Sequence, residues 1–131
     1  YNFFYNDDLS KKKLTNLPAS YNYKNFLMHS SMSTSSILLE RLIINNISFE
    51  SVKHEDYLFK CKILKNIKTA YKVKDIYVFY RINKNNRSSN KISNLFNLWK
   101  INKNNNNLNF LENLKSIISI SFNSLKTYGW K

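Results

Sequence analysis

The chain has 131 residues, a formal net charge of +13, a single glycine and a single cysteine. One glycine, Gly129, cannot form a glycine-rich phosphate loop or a dinucleotide-binding fingerprint, and one cysteine, Cys61, permits neither an internal disulfide bond nor a multi-cysteine zinc site. The length suits one small domain.

The positive charge has two explanations. Lysines that neutralise phosphates favour nucleic-acid binding, which would make the chain a non-enzymatic basic module for RNA or for an acidic partner. However, the sequence contains 22 Asn and 18 Lys, and a genome rich in A and T would produce that excess on almost any fold. The basic residues are also scattered, apart from Lys11-Lys12-Lys13, and no known nucleic-acid module is recognisable.

The N-terminal third is predicted to begin with two strands and a helix. Tyr1–Tyr5 is rich in aromatic residues, which favours a strand, and Lys13–Leu17 is predicted as the returning strand. Pro18 ends that strand because proline has no amide hydrogen to donate. Ser20 is a candidate cap for a short helix over Tyr21–Met28.

The middle of the chain is predicted to alternate helices and strands. The hydroxyl-rich stretch Ser30–Leu39 is predicted as a strand that passes into a helix over Leu39–Ile44. Apolar residues spaced by three and four predict a helix over His54–Lys65, with Cys61 as a small buried side chain. Two short strands are expected at Thr69–Val73 and Ile76–Ile82.

Two helices are predicted to end the chain. Lys91–Ile101 carries an apolar stripe formed by Ile92, Leu95, Phe96 and Trp99. Asn104–Asn107 is predicted as a linker. Leu108–Lys126 carries a second stripe formed by Leu111, Leu114, Ile118 and Phe122 or Leu125. We expect this last helix to pack onto the domain, with attachment to a membrane surface as the alternative.

His54-Glu55-Asp56 opens the predicted middle helix. Acidic residues in a first turn complement the positive end of the helix dipole, each by about 0.3 to 1 kcal/mol, which is a purely structural explanation. A carboxylate in this position also stays ionised, because the dipole and the free amides lower its pKa. It could therefore act as a general base towards an attacking hydroxyl.

Two further groups could serve a site. Arg81 ends a predicted strand and could bind a diphosphate or a sugar acid through its planar guanidinium, while Ser88 and Ser89 lie in the following polar loop and could equally cap the next helix. Thr34 belongs to a hydroxyl-rich stretch, Ser33-Thr34-Ser35-Ser36, that could simply line a strand.

Taken in order, these pieces resemble the family 2 glycosyltransferases of GT-A type. The matching segments are Pro18-Ala19-Ser20-Tyr21, Ser33-Thr34-Ser35-Ser36 with Arg41, His54-Glu55-Asp56-Tyr57, Tyr80-Arg81, Ser88-Ser89-Asn90-Lys91 and Trp99. No single segment is specific for the family, but the ordered series is. It departs from the family pattern at Lys60, where a Trp is frequent, and at Asn86, where a serine is usual; both put the acceptor in doubt.

The resemblance implies an enzyme that transfers a sugar from a nucleotide-sugar donor to a cell-surface glycan acceptor, with inversion. Asp56 would be the base, Glu55 would orient the acceptor, and His54, Thr34, Arg81, Ser88 and Ser89 would bind substrate. A divalent metal, Mg²⁺ or Mn²⁺, would be held mainly by an upstream nucleotide-binding half of the enzyme. That half is expected to lie outside the 131 residues of this chain. The isolated piece is therefore expected to be inactive.

The resulting prediction is an α/β fold, a partial GT-A domain with C-terminal helices. Residues 1–103 would form the catalytic part, and residues 104–131 an asparagine-rich linker and a final helix. Donor and acceptor would be its partners, without a specific nucleic acid and with peripheral membrane contact left open. The expected location is cytoplasmic, including the inner face of the plasma membrane.

Overall fold

The computed structural model describes residues 2–5, 13–14, 17–74, 78–82 and 91–128, with side chains for 17–74, 78–79 and 91–127. These residues are mostly helical and add two small sheets, so the chain is of mixed α/β composition.

The strands form two separate sheets. β1 (Asn2–Tyr5) lies between β2 (Lys13–Leu14), to which it is antiparallel, and β5 (Phe79–Ile82), to which it is parallel. β3 (Ser20–Tyr21) pairs with β4 (Ala70–Tyr71) in an antiparallel ribbon. The strands predicted on either side of residue 75 therefore exist, but they belong to different sheets.

In the described part of the chain, five α-helices follow the predicted order. They are α1 (Tyr23–His29), α2 (Arg41–Ile44), α3 (Glu55–Asn66), α4 (Lys91–Asn104) and α5 (Phe110–Tyr128). Asn22 caps α1, since its Oδ1 accepts the Asn25 amide at 2.8 Å. Periodicity located the long helices correctly because each has its apolar residues at helical spacing.

The strand predicted over residues 30–39 is wrong. Thr34–Ser36 is a 3-10 helix, and the residues around it form no strand. The amide and the hydroxyl of Ser36 both donate to the Ser33 carbonyl, at 3.1 and 2.8 Å. Short hydroxyl side chains offer the backbone such local bonds, which compete with pairing in a sheet.

The hydrophobic core lies where α1, α3, α4 and α5 meet. The ring of Phe26 on α1 is fully buried and stacks on Tyr57 of α3, with 5.5 Å between centroids. The other buried residues of this core are Tyr21, Leu27, Leu58, Cys61, Leu64, Leu98, Ile101 and Ile120.

A polar network crosses the same core. The side chain of Asn102 is fully buried; its Oδ1 accepts from the Tyr57 hydroxyl at 2.9 Å and from Asn106 at 3.1 Å, and its amide donates to Ser116 at 3.1 Å. Ser116 in turn donates to the Leu27 carbonyl at 2.6 Å. Because buried polar groups need partners, this network fixes the rotation of α4 and α5 about their axes.

The predicted apolar stripes of α4 and α5 do not face the core. Most of their members are exposed: Ile92, Phe96, Leu111, Leu114, Ile118 and Phe122. The buried residues are Leu98, Ile101 and Asn102 on α4 and Asn113, Ser116 and Ile120 on α5. The last helix thus packs onto the domain as expected, but through the face that carries Asn113, Ser116 and Ile120.

The predicted asparagine linker is a tight connection. α4 extends through Asn104, and Asn106 is buried with its amide 3.5 Å from the Cys61 sulfur. Asn107 has a φ of 55°, in the left-handed region that asparagine tolerates. The domain division at residue 103 stays a prediction.

Among the described residues, no helix has both the length and the apolar content needed to cross a membrane.

Candidate functional site

A cavity of about 380 Å³ opens beside the start of α3. One wall is the segment 29–35, which supplies five hydroxyl side chains and one imidazole, and another is α3 with Asp56 and Lys60. The third wall is the C-terminal half of α5, with Ile120, Asn123, Ser124 and Thr127. The lining is therefore rich in hydroxyl groups and contains one ion pair.

Lys60 is the centre of the contacts in this cavity. Its side chain is only 5% exposed, and its ammonium group donates to Asp56 Oδ2 at 2.9 Å, to the Met32 carbonyl at 2.9 Å and to Thr34 Oγ1 at 3.3 Å. Three acceptors match the three protons of an ammonium group, as burial of a charge requires. Lys60 thereby joins the hydroxyl-rich segment to the acidic start of α3.

Asp56 is held as a carboxylate. Its side chain is 46% exposed, and it accepts hydrogen bonds from Lys60 and, at 3.3 Å, from Thr34 Oγ1. Burial disfavours the charged form, but the Lys60 charge and hydrogen bond, the Tyr57 amide and the more distant His54 together outweigh it, so the pKa of Asp56 lies below its usual value. The group is ionised at neutral pH and partly open to the cavity.

His54 has an unusual backbone conformation. It is the residue before α3, where an extended conformation is the norm, yet its φ and ψ are 63° and 42°. A non-glycine residue in the left-handed region costs about 1 to 2 kcal/mol. The ring is directed to α4, where Nε2 lies 3.1 Å from Asn94 Oδ1. His54 is thus tied to α4 and does not line the cavity.

The other predicted site residues are only partly accounted for. Glu55 is half-buried in the first turn of α3, and its carboxylate accepts no hydrogen bond from the described residues. Arg81 lies in β5 opposite Phe4 of β1, and its side chain is not among those described. Ser88 and Ser89 lie outside the described residues. Among the predicted site residues whose side chains are described, the structure therefore brings Thr34 and Asp56 into contact.

Lys60 is the residue that the sequence argument did not place in the site. In the sequence, Lys60 stands out only as a departure from the family pattern. The available signal was its spacing, since an acid and a lysine four residues apart lie on the same side of a helix. The contribution of α5 to the cavity had no such signal, because it depends on how distant helices pack.

Other chemistry finds little support among the described residues. Burial raises the pKa of the Cys61 thiol to about 11, so this cysteine is a buried structural residue and a poor nucleophile, as predicted. No three His, Cys, Asp or Glu side chains in the described part of the chain are grouped so that they could hold a metal ion. A metal on the donor diphosphate stays a prediction from the resemblance.

Comparison of the chain with protein-family models, with curated proteins and with solved structures found no match.

Proposed function

We propose that this chain is the acceptor-side part of a family 2 glycosyltransferase of GT-A fold. The enzyme would transfer a sugar from a nucleotide-sugar donor to a cell-surface glycan, with inversion at the anomeric carbon. The observation that supports this most is the ionised, half-exposed Asp56 carboxylate, held in one cavity with the hydroxyls of residues 30–35. Two pieces of the motif series, far apart in sequence, meet there.

In the proposed reaction, Asp56 is the general base. An acceptor hydroxyl lies in the cavity, and its oxygen forms a bond to the anomeric carbon while the bond from that carbon to the diphosphate breaks. The hydroxyl proton passes to the Asp56 carboxylate as the oxygen loses electron density to the new bond. A carboxylate of lowered pKa is a weak base. However, the hydroxyl proton becomes strongly acidic as the new bond forms, so a carboxylate that is already ionised is basic enough to take it.

The cavity wall suits a sugar. Hydroxyl groups from Ser30, Ser31, Ser33, Thr34 and Ser35 line the same cavity as the Asp56 carboxylate, and hydroxyl groups can both donate to and accept from acceptor hydroxyls. Lys60 would act as a positioning residue, because all three of its described hydrogen bonds go to protein groups. Substrate roles of Glu55, His54, Arg81, Ser88 and Ser89 remain part of the proposal, as does a cytoplasmic location, where sugar nucleotides would be available.

The test compares two matched variants of the protein as its gene encodes it. Asp56→Asn removes the candidate base. Glu50→Gln removes an acid that pairs with Lys62 of α3, and neither Glu50 nor Lys62 lines the cavity. Transfer is measured as release of nucleoside diphosphate and as labelled glycan, over a panel of sugar nucleotides with Mg²⁺ or Mn²⁺. We expect Asp56→Asn to lower the turnover by about 10²- to 10⁴-fold with donor binding intact, and Glu50→Gln to change neither.

Two outcomes would overturn the proposal at different levels. Unchanged turnover in Asp56→Asn would remove this residue from the base role and leave the enzyme class open. No transfer with any donor, together with retention on RNA that falls steeply with salt, would replace the enzyme by the basic binding module.

A further inference from the structure

A row of large apolar side chains on α5 is exposed. Leu111, Leu114, Ile118 and Phe122 are 74%, 38%, 60% and 69% exposed, although their spacing places them on one face of the helix. They line an open groove of about 620 Å³ that reaches His29 at the end of α1. A contiguous apolar surface of this kind marks an interaction site.

The row cannot turn inward without breaking the polar core. On the opposite face of α5, Asn113 donates to the Trp99 carbonyl at 3.0 Å and Asn123 donates to the Met28 carbonyl at 3.1 Å. Ser116 adds its bond to Leu27. The exposure is therefore built into the packing of the helix.

The surface continues onto α4. Trp99 meets Phe110 edge-to-face, with 5.5 Å between ring centroids, and Phe110 is 68% exposed at the start of α5. Phe96, one turn before Trp99, is 59% exposed. We call this apolar face of α4 and α5 the α4–α5 surface; its members are Phe96, Trp99, Phe110, Leu111, Leu114, Ile118 and Phe122.

The charges on the two helices of this surface are mostly positive. Residues 91–128 contain five lysines and one acidic residue, Glu112, which is engaged in its own helix by a bond from the Asn109 amide at 3.1 Å. Lys115 and Lys126 lie four residues after Leu111 and Phe122, which places them along the edge of the apolar row. Both are exposed.

We propose that the α4–α5 surface binds to an anionic lipid membrane. The apolar row would enter the headgroup region, and the lysines along its edge would extend their ammonium groups towards anionic headgroups. A second copy of the chain is a poorer occupant, because each copy carries a net charge of +13 and the lysines around the two surfaces would repel one another. This inference does not depend on the proposed function.

The test is co-sedimentation of the protein with vesicles of roughly three parts phosphatidylcholine to one part phosphatidylglycerol. We expect binding to these vesicles, weaker binding to pure phosphatidylcholine, and loss of binding as salt rises. Ile118→Ser with Phe122→Ser should reduce the partition coefficient by at least about tenfold, and Lys115→Glu with Lys126→Glu should do so on anionic vesicles only.

The controls separate this surface from exposed apolar residues in general. Leu38→Ser with Leu42→Ser removes side chains that are 97% and 73% exposed on another part of the chain, and it should bind vesicles as the wild type does. All of these positions are exposed, so the variants should fold, which circular dichroism checks. The proposal would be overturned if the wild type did not bind vesicles. It would also be overturned if the Ile118/Phe122 and Leu38/Leu42 double variants lost vesicle binding equally. So would a wild-type dimer by light scattering that the Ile118 and Phe122 substitutions convert to monomer.

Discussion

Replacing Lys60 by methionine tests the structural core of the site. Met keeps most of the unbranched stem and removes the ammonium group, whose nitrogen lies 5.9 Å from the centroid of the Phe26 ring. The variant therefore loses the hydrogen bonds to Asp56, Thr34 and the Met32 carbonyl, with little change in volume. Any effect then reports on the charge and its partners.

Lys60→Met should lose less stability than its three hydrogen bonds suggest. Hydrogen bonds to a charged group contribute about 1.5 to 3 kcal/mol each. Two terms reduce the sum: the Lys60 ammonium no longer has to be buried, and the Asp56 side chain, 46% exposed, regains water. We expect the free energy of unfolding to fall by about 2 kcal/mol.

The loss should depend on pH. Because the folded state lowers the pKa of Asp56, the stabilisation from this group is present above the unfolded value of about 4 and is lost as the pH falls through the folded value. In Lys60→Met the main cause of the lowering is gone, and burial should raise the pKa of Asp56. The difference in stability between wild type and variant should therefore be largest above about pH 5 and shrink below about pH 4.

The assay is urea denaturation over a range of pH, with the Asp56 pKa measured by NMR titration. Lys62→Met is the matched control, because Lys62 lies on the same helix as Lys60 and pairs with Glu50, but both side chains of this pair are more than a third exposed. It should cost less than about 0.5 kcal/mol. A Lys60→Met penalty no larger than this, or an Asp56 pKa that does not rise, would refute the reasoning.

Three other predictions concern the helices around the site. Tyr57→Phe removes one hydrogen bond and should lower the free energy of unfolding by about 1 kcal/mol. Asn102→Ala leaves several buried partners unsatisfied and should lower it by about 3 kcal/mol. Chemical denaturation measures both changes, and equal losses of stability would contradict the network. Cys61, fully buried and with its pKa raised to about 11, should react with a thiol reagent only on unfolding, and rapid labelling of the native protein would contradict its burial. Asn109→Ala removes the Oδ1 atom that accepts the Glu112 amide at 2.9 Å and should cost about 1 kcal/mol by thermal unfolding, while Asn105→Ala, in the exposed turn after α4, should cost less.

The candidate site could be predicted only in part. The acidic pair at the start of α3 was evident from the sequence, because helix start signals are local. Thr34 donates a hydrogen bond to Asp56 because its segment forms a 3-10 helix and because Lys60 bonds to both residues. The sequence predicts neither the 3-10 helix nor these bonds of Lys60. A buried lysine is rare, and its burial depends on finding acceptors from two segments that meet only in the folded chain.

The sequence by itself determined the order and extent of the long helices and the burial of Cys61. These features depend on local spacing and on residue size. Tertiary structure decided which face of each helix is covered. The periodicity of α5 defines an apolar face but does not say which neighbours are available, and here Asn113 and Ser116 find partners in α4 and α1 that hold the polar face inside. Most buried polar groups are hydrogen-bonded, and the Leu27 carbonyl to which Ser116 donates is 89 residues away in the chain, beyond the reach of any local pattern.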